Sequence, residues 1–227
     1  MGCLLMCGIF GYIGKEDSAE ICLAGLKKLE YRGYDSAGLA GISEGEFHLC
    51  KQVGKIQALE ETWNNRRKKL SLAIAHTRWA THGKPSYENA HPQLDQSGDI
   101  AVVHNGIIEN HHTLREMLKG YSLSFESTTD TEVIAHLIES EFQKSSGATL
   151  AQLICNVVAQ LVGAYAFMVV MQDFPDTIIA VRKGSPLCVG VGNGEMFVAS
   201  DVLAFAGKID KIVFMPEQTF AVITKDD

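Results

Sequence analysis

An α+β sandwich of mainly antiparallel sheets is the fold class that this chain predicts, and three features of the sequence predict it. Short strand-like apolar runs fill both ends of the chain, while three stretches with helical spacing are gathered in the middle, between Leu114 and Leu161. Strands grouped with strands and helices with helices favour α+β over an alternating βαβ order. No linker, internal repeat or low-complexity tract divides the 227 residues, a length near the upper limit of a single core.

The elements follow in order. Met6 to Gly14 is a Gly-spaced apolar run that reads as a strand with a cysteine, Cys7, at its edge. Asp17 and Glu20 mark a helix start, and Ala19, Cys22, Leu23, Leu26 and Leu29 repeat at three- and four-residue spacing as far as Arg32-Gly33. Ala37–Ser43 and Glu46–Val53 read as a hairpin turning at Glu44-Gly45, with Phe47 and Leu49 alternating against Glu46 and His48. A helix runs from Lys55 to Asn65, its basic run Arg66 to Lys69 expected as a solvated C-terminus facing the helix dipole. Leu72–His76 is a strand, and Gly83 to Gly98 a long loop expected on the surface.

Ile100–Val103 is a buried strand expected to end in a turn at His104-Asn105-Gly106. Of the three helices, one carries Leu114, Met117 and Leu118. The next opens on a capping box of Thr129 and Glu132 and buries Val133, Ile134, Leu137 and Ile138; the third has Leu150, Leu153, Ile154, Val157, Val158 and Leu161. Strands follow at Ala164–Met171, Thr177–Arg182, Leu187–Val191, Glu195–Ala199, Lys211–Phe214 and Thr219–Thr224. Gly190 to Gly194 joins two of these and reads as a hairpin turn, since a phosphate loop needs a helix to present its amides.

Composition excludes several classes of function. A net charge of −7 argues against a nucleic-acid partner. No apolar run approaches the ~18–20 residues of a membrane span, and 46% hydrophobic with 21% charged residues is ordinary for a globular protein. The six cysteines show no CxxC pair or zinc spacing, which suits reduced thiols in a cytoplasmic protein. The eight histidines are scattered, and adjacent His111-His112 point apart on a helix, so no metal is expected.

Four places carry chemistry-bearing residues. Cys7 is either a small buried hydrophobe or a nucleophile. A thiol near its ordinary pKa of about 8.5 needs a base or a positive field to act, and loss of Met6 would supply Cys7 with its own α-amino group. His76-Thr77-Arg78-Trp79-Ala80-Thr81-His82-Gly83 packs a guanidinium, an indole, hydroxyls and imidazoles at a strand end. Arg78 with Thr81 or His82 matches an amino-acid carboxylate; a surface turn with Arg78 stacked on Trp79 is the plainer alternative. Asn105-Gly106 offers an amide and a backbone N–H to an oxyanion, though taken alone the dipeptide favours a tight turn. Asp130, in the first turn of a helix, suits either the dipole or a substrate ammonium. No G-x-C-x-G elbow surrounds any cysteine.

Cys7-Gly8-Ile9-Phe10-Gly11, Leu29 to Gly38, His76 to Gly83, His104 to Asn110, Thr129-Asp130-Thr131-Glu132 and Ala199-Ser200-Asp201 occur in one order across nearly the whole chain. In that order they resemble the glutaminase domain of the glucosamine-6-phosphate synthases, the glutamine:fructose-6-phosphate aminotransferases. The related amidophosphoribosyltransferases share the N-terminal cysteine and the Asn-Gly pair. They have His-Arg-Gly-Gln-Glu where this chain has Tyr31-Arg32-Gly33-Tyr34-Asp35, and Tyr-Ser in place of Trp79-Ala80.

The resemblance implies an N-terminal-nucleophile hydrolase fold, a four-layer αββα sandwich, and release of ammonia from L-glutamine without a cofactor. By the match, Cys7 Sγ attacks the side-chain amide carbon and its α-amine moves the proton. Asn105 and the Gly106 N–H hold the oxyanion, and a γ-glutamyl thioester is hydrolysed to glutamate. Arg78, with Thr81 and His82, binds the α-carboxylate and Asp130 the α-ammonium. Arg32 matches a position close to the nucleophile, and Trp79 one that closes the site. Full-length members are homo-oligomeric and carry a sugar-isomerase domain. The mechanism needs Cys7 at the N-terminus, so residues 1–6 are expected as a leader missing from the mature chain, with translation starting at Met6. Residues 7–227 are expected as the glutaminase domain, without the sugar-isomerase domains. The alternatives are an inactive glutamine-binding module and the glutaminase domain of another amidotransferase.

Overall fold

Side chains alternate along a strand, so two stacked sheets with helices outside need three apolar layers, and the chain supplies all three. The computed structural model describes residues 7–66, 68–79, 84–144, 147–205 and 209–227. Its first half contains β1 (Gly8–Ile13), α1 (Ser18–Leu29), β2 (Ser36–Ser43), β3 (Glu46–Val53), α2 (Ile56–Asn64), β4 (Leu72–Arg78), β5 (Gln93–Leu94) and β6 (Ile100–Ile108). Then come α3 (His111–Lys119), α4 (Thr131–Lys144), α5 (Leu150–Val158), β7 (Gly163–Met171), β8 (Ile178–Lys183), β9 (Cys188–Gly192), β10 (Glu195–Ala199), β11 (Lys211–Phe214) and β12 (Thr219–Ile223).

One sheet has the order β11-β9-β10-β1-β4-β2-β3 and the other β12-β8-β7-β6-β5. Each pairing among the described residues is antiparallel. Ile9 and Ile13 of β1, Leu72 and Ile74 of β4, Ala101 and Val103 of β6 and Met168 of β7 form the layer between the sheets. On the opposite face of β1, Phe10 and Tyr12 pack against Cys22, Leu23 and Leu26 of α1 and, through the same cluster, Trp63 of α2. Val102, Phe167 and Val169 meet Leu114 and Leu118 of α3, Ile134 and Ile138 of α4 and Leu153 of α5. The result is the αββα order.

Local chemistry explains several boundaries. Asp17 caps α1 by accepting from the Ala19 N–H at 3.1 Å, and the same oxygen accepts from the Leu70 N–H at 3.1 Å, tying the helix start to the strand beneath it. Thr149 and Gln152 form a reciprocal capping box on α5.

Three expectations are corrected. The turn at Asn105-Gly106 does not form: β6 continues to Ile108, because β7 offers partners all along it, Asn105 facing Ala166 and Gly106 facing Tyr165. Tertiary pairing overrides the turn preference of the dipeptide. Gly106 is nonetheless obligatory there, since its φ is +125° and a β-carbon would run into the Ala164 carbonyl oxygen. The loop before β6 is not a surface connection throughout. Gly83 lies outside the described residues, but Asn89, Ala90, His91, Gln93 and Asp95 are buried, and Gln93-Leu94 adds a short edge strand to the second sheet.

The capping box of Thr129 and Glu132 is also absent. The helix begins at Thr131, so Glu132 sits one turn position too early, and its carboxylate instead accepts from the N–H groups of Glu126 and Ser127 at 2.7 and 2.8 Å. Within the basic run, Arg66, Lys68 and Lys69 are exposed as expected, and Arg66 also donates to the Leu49 carbonyl at 2.6 Å and lies 5.9 Å from the Trp63 ring centre.

Candidate active site

At one end of the gap between the sheets, polar residues replace apolar ones without any change of face. Cys7 precedes Ile9 by two residues on the β1 side. His76 and Arg78 continue the face of Ile74 on β4, and Asn105 continues that of Val103 on β6. Antiparallel pairing of Gly8 with Thr77 brings the Cys7 and Arg78 ends together. Cys7 Sγ accepts from the Trp79 N–H at 3.2 Å. Asn105 Nδ2 donates to the Cys7 carbonyl at 2.8 Å, and His76 Nε2 lies 3.1 Å from Asn105 Oδ1.

A cavity of about 430 Å3 opens on this cluster, with Cys7, Arg78, Trp79, Gly106, Ile107 and Asp130 among its walls. Asp130, immediately before α4, accepts from the Ile108 N–H at 2.8 Å through Oδ2, while Oδ1 lies 3.9 Å from His104 Nδ1. Trp79 is braced by the Tyr34 ring, edge-on at 5.4 Å.

Burial pushes the Cys7 thiol up, against the Trp79 N–H and the Arg78 charge, which pull it down. As part of a peptide chain it is therefore protonated at neutral pH and needs a base to become a nucleophile. Burial lowers the Arg78 guanidinium, opposed by Cys7, Asp35 and Asp130, so a cation is held between anionic or ionisable groups at the cavity wall. Cys22, Cys50 and Cys188 are buried free thiols, also pushed up by burial, and Cys155 is exposed. Among the described residues, Cys7 is the cysteine that lines this cavity.

Of the expected site residues, Cys7, Arg78, Trp79, Gly106 and Asp130 line the cavity, and Asn105 is hydrogen-bonded to Cys7. Thr81 and His82 lie outside the described residues. Arg32 is not in the wall; its guanidinium is ion-paired to Asp201, and Nε donates to the Tyr31 hydroxyl at 3.1 Å. His91 also lines the cavity, as do His104 and Thr131, which the sequence marks only as members of longer motifs. The sequence marks His76 only as part of a dense motif. The period-two alternation from Arg78 back through Ile74 marks it as a residue of the same face.

A strand-edge cysteine between two antiparallel sheets, with helix layers outside, defines an N-terminal-nucleophile hydrolase fold. A solved structure described as the allosteric regulatory enzyme of purine biosynthesis superposes with a TM-score of 0.83 at 31% identity, covering 96% of this chain and 47% of its own. The model of the glutamine amidotransferase domain matches residues 76–207, and the chain belongs to that family. It is 46% identical over 97% of its length to glutamine–fructose-6-phosphate aminotransferase (isomerizing) of Chlorobaculum tepidum. The enzyme of the same name from Escherichia coli K12 is 48% identical, again over 97% of this chain. In both cases the chain spans 36% of the relative's length. The family and the αββα fold are thus the ones that the collinear motifs implied.

Proposed function

We propose that residues 7–227 hydrolyse L-glutamine to L-glutamate and ammonia through a thioester on Cys7. The observation that carries this reading is that Cys7, Gly106, Arg78 and Asp130 line one cavity of about 430 Å3, with the Asn105 amide held against Cys7. Arg78 pairs with the α-carboxylate and Asp130 with the α-ammonium, which leaves the side-chain amide toward Cys7. Sγ attacks the amide carbon, and its proton passes through the Cys7 α-amine to the departing nitrogen, which leaves as ammonia. Asn105 Nδ2 and the Gly106 N–H stabilise the oxyanion. Water, deprotonated by the same amine, then cleaves the thioester and releases glutamate.

The α-amine exists only when Cys7 is the first residue, so residues 1–6 have to be absent from the active form. In the whole protein the ammonia goes to fructose-6-phosphate, on a sugar-isomerase domain outside this chain. The 46–48% identity to aminotransferases of that name supports this acceptor over the phosphoribosyl one. A cytoplasmic, homo-oligomeric protein completes the proposal. In the alternative reading, an inactive glutamine-binding module, the amide nitrogen of Cys7 in the 227-residue chain leaves the thiol without its base. Glutamate release decides between them. A chain beginning at Cys7 is expected to turn over and the 227-residue form to bind without turnover; inactivity of both moves the assignment to the binding module.

A further inference from the structure

His76 takes no part in the chemistry above, yet it is wholly buried beside the cavity and bonded to the group that the proposed reaction has to aim. Its Nε2 lies 3.1 Å from the His104 carbonyl oxygen and 3.1 Å from Asn105 Oδ1. A backbone carbonyl can only accept, so Nε2 carries the proton. Consistently, Nδ1 has no hydrogen-bond partner among the described residues. A proton on Nε2 admits only the oxygen end of the Asn105 side chain. On the far side, Asn105 Nδ2 donates to the Cys7 carbonyl at 2.8 Å, a second group that can only accept. Two fixed acceptors therefore dictate the chain His76 Nε2–H to Oδ1, and Nδ2–H to Cys7. An amide nitrogen has two hydrogens, and the second is left for a substrate oxygen.

The ring is held in place from other sides. Its centre is 4.2 Å from that of His91, whose Nδ1 in turn accepts from the His104 N–H at 3.4 Å. Burial, then the Arg78 charge, lowers its pKa to about 3, so the tautomer persists across the working pH range.

We infer that His76 is a positioning residue for the oxyanion donor, its Nε2–H locking the Asn105 amide in the one of its two orientations that aims Nδ2 at the reacting carbonyl. This rests on the glutamine-hydrolysis reading. A flipped amide would present Oδ1 to the developing negative charge and replace attraction by repulsion. Donation to Oδ1 also polarises the amide and makes Nδ2–H a stronger donor.

The test uses the chain beginning at Cys7 and the variants His76→Leu, His76→Gln, Asn105→Ala and the double variant His76→Leu/Asn105→Ala. Leu fills the space without a donor, whereas Gln keeps an N–H. His76→Leu is expected to lower kcat about 10–100-fold and to leave KM for glutamine within about twofold, because the amino-acid end is held elsewhere. Gln should recover most of the loss, and in the Asn105→Ala background Leu should cost nothing further. An additive double variant, or wild-type kcat for His76→Leu, overturns the inference. Imidazole 15N NMR reads the tautomer separately from activity: Nε2–H is expected, and Nδ1–H overturns the lock. Should the chain beginning at Cys7 release no glutamate, the glutaminase reading falls, and the NMR result alone decides whether His76 orients Asn105.

Discussion

The middle of the gap between the sheets and its open end are built by the same strands on the same faces, yet they carry opposite chemistry. Along β4, Leu72 and Ile74 give way to His76 and Arg78; along β6, Ala101 and Val103 give way to Asn105. The middle is apolar and fully buried, so it stabilises by packing. The open end buries a cation, an imidazole and an amide, each of which is costly unless partnered; the imidazole and the amide bond to each other and to backbone carbonyls, and the cation faces Cys7, Asp35 and Asp130. The candidate site is thus the core face continued past the point where apolar packing ends. Substitutions in the two zones should separate stability from activity.

The sharpest separation is expected at Cys7. In a chain that begins at this residue, Cys7→Ala should lower glutamate release by at least about 10,000-fold and leave the thermal midpoint nearly unchanged, since the residue adds little packing. A large loss of stability would mean that the cysteine belongs to the core instead. Ile74→Ala, one pair of residues away from His76, should do the reverse. It should cost about 2–5 kcal/mol in urea unfolding and leave kcat per folded molecule intact; a fall in kcat would erase the boundary between the zones. Asn105→Ala should lower kcat about 100–1,000-fold, equivalent to about 2.7–4 kcal/mol, with a smaller effect on KM; an unchanged kcat would remove it from the oxyanion site.

The smallest effect per step is in pH. His76 has a folded pKa of about 3, lowered by burial and then by Arg78, and burial also holds His91 and His104 below the ordinary value of 6.5. Between these values the unfolded chain binds protons that the folded chain refuses. Stability from these groups is therefore complete above pH 6.5 and lost as the pH falls below it, for His76 as far as about 3, by up to about 1.4 kcal/mol per pH unit for each histidine while it stays neutral in the folded chain. Urea midpoints at pH 7, 6 and 5 should fall in sequence, and His76→Gln should flatten the decline by one proton. Equal midpoints would show that the open end is not so deeply buried. The closed middle has no titratable group among its residues, so Ile74→Ala should leave the slope unchanged.

Most elements were legible in the chain because their signals are local. The apolar spacing of Ala19 to Leu29, the alternation around Phe47 and the strands from Gly163 onward need no knowledge of neighbours, and the motif order carried the family. Cys7, Arg78 and Asp130 were recognisable as chemistry-bearing residues for the same reason. What remained undetermined depended on contacts between distant segments. Asn105-Gly106 is a turn as a dipeptide and a strand once β7 lies beside it. The loop around Ala90 reads as polar surface until it is covered, and the Arg32 guanidinium is drawn to Asp201, 169 residues away. His76 looks like one more side chain in a dense motif until the second sheet brings Asn105 within 3.1 Å. Periodicity along a chain determines which face a residue occupies; which partner waits on that face is decided only when the sheets close, because the free energy of a buried polar group depends on what it meets there.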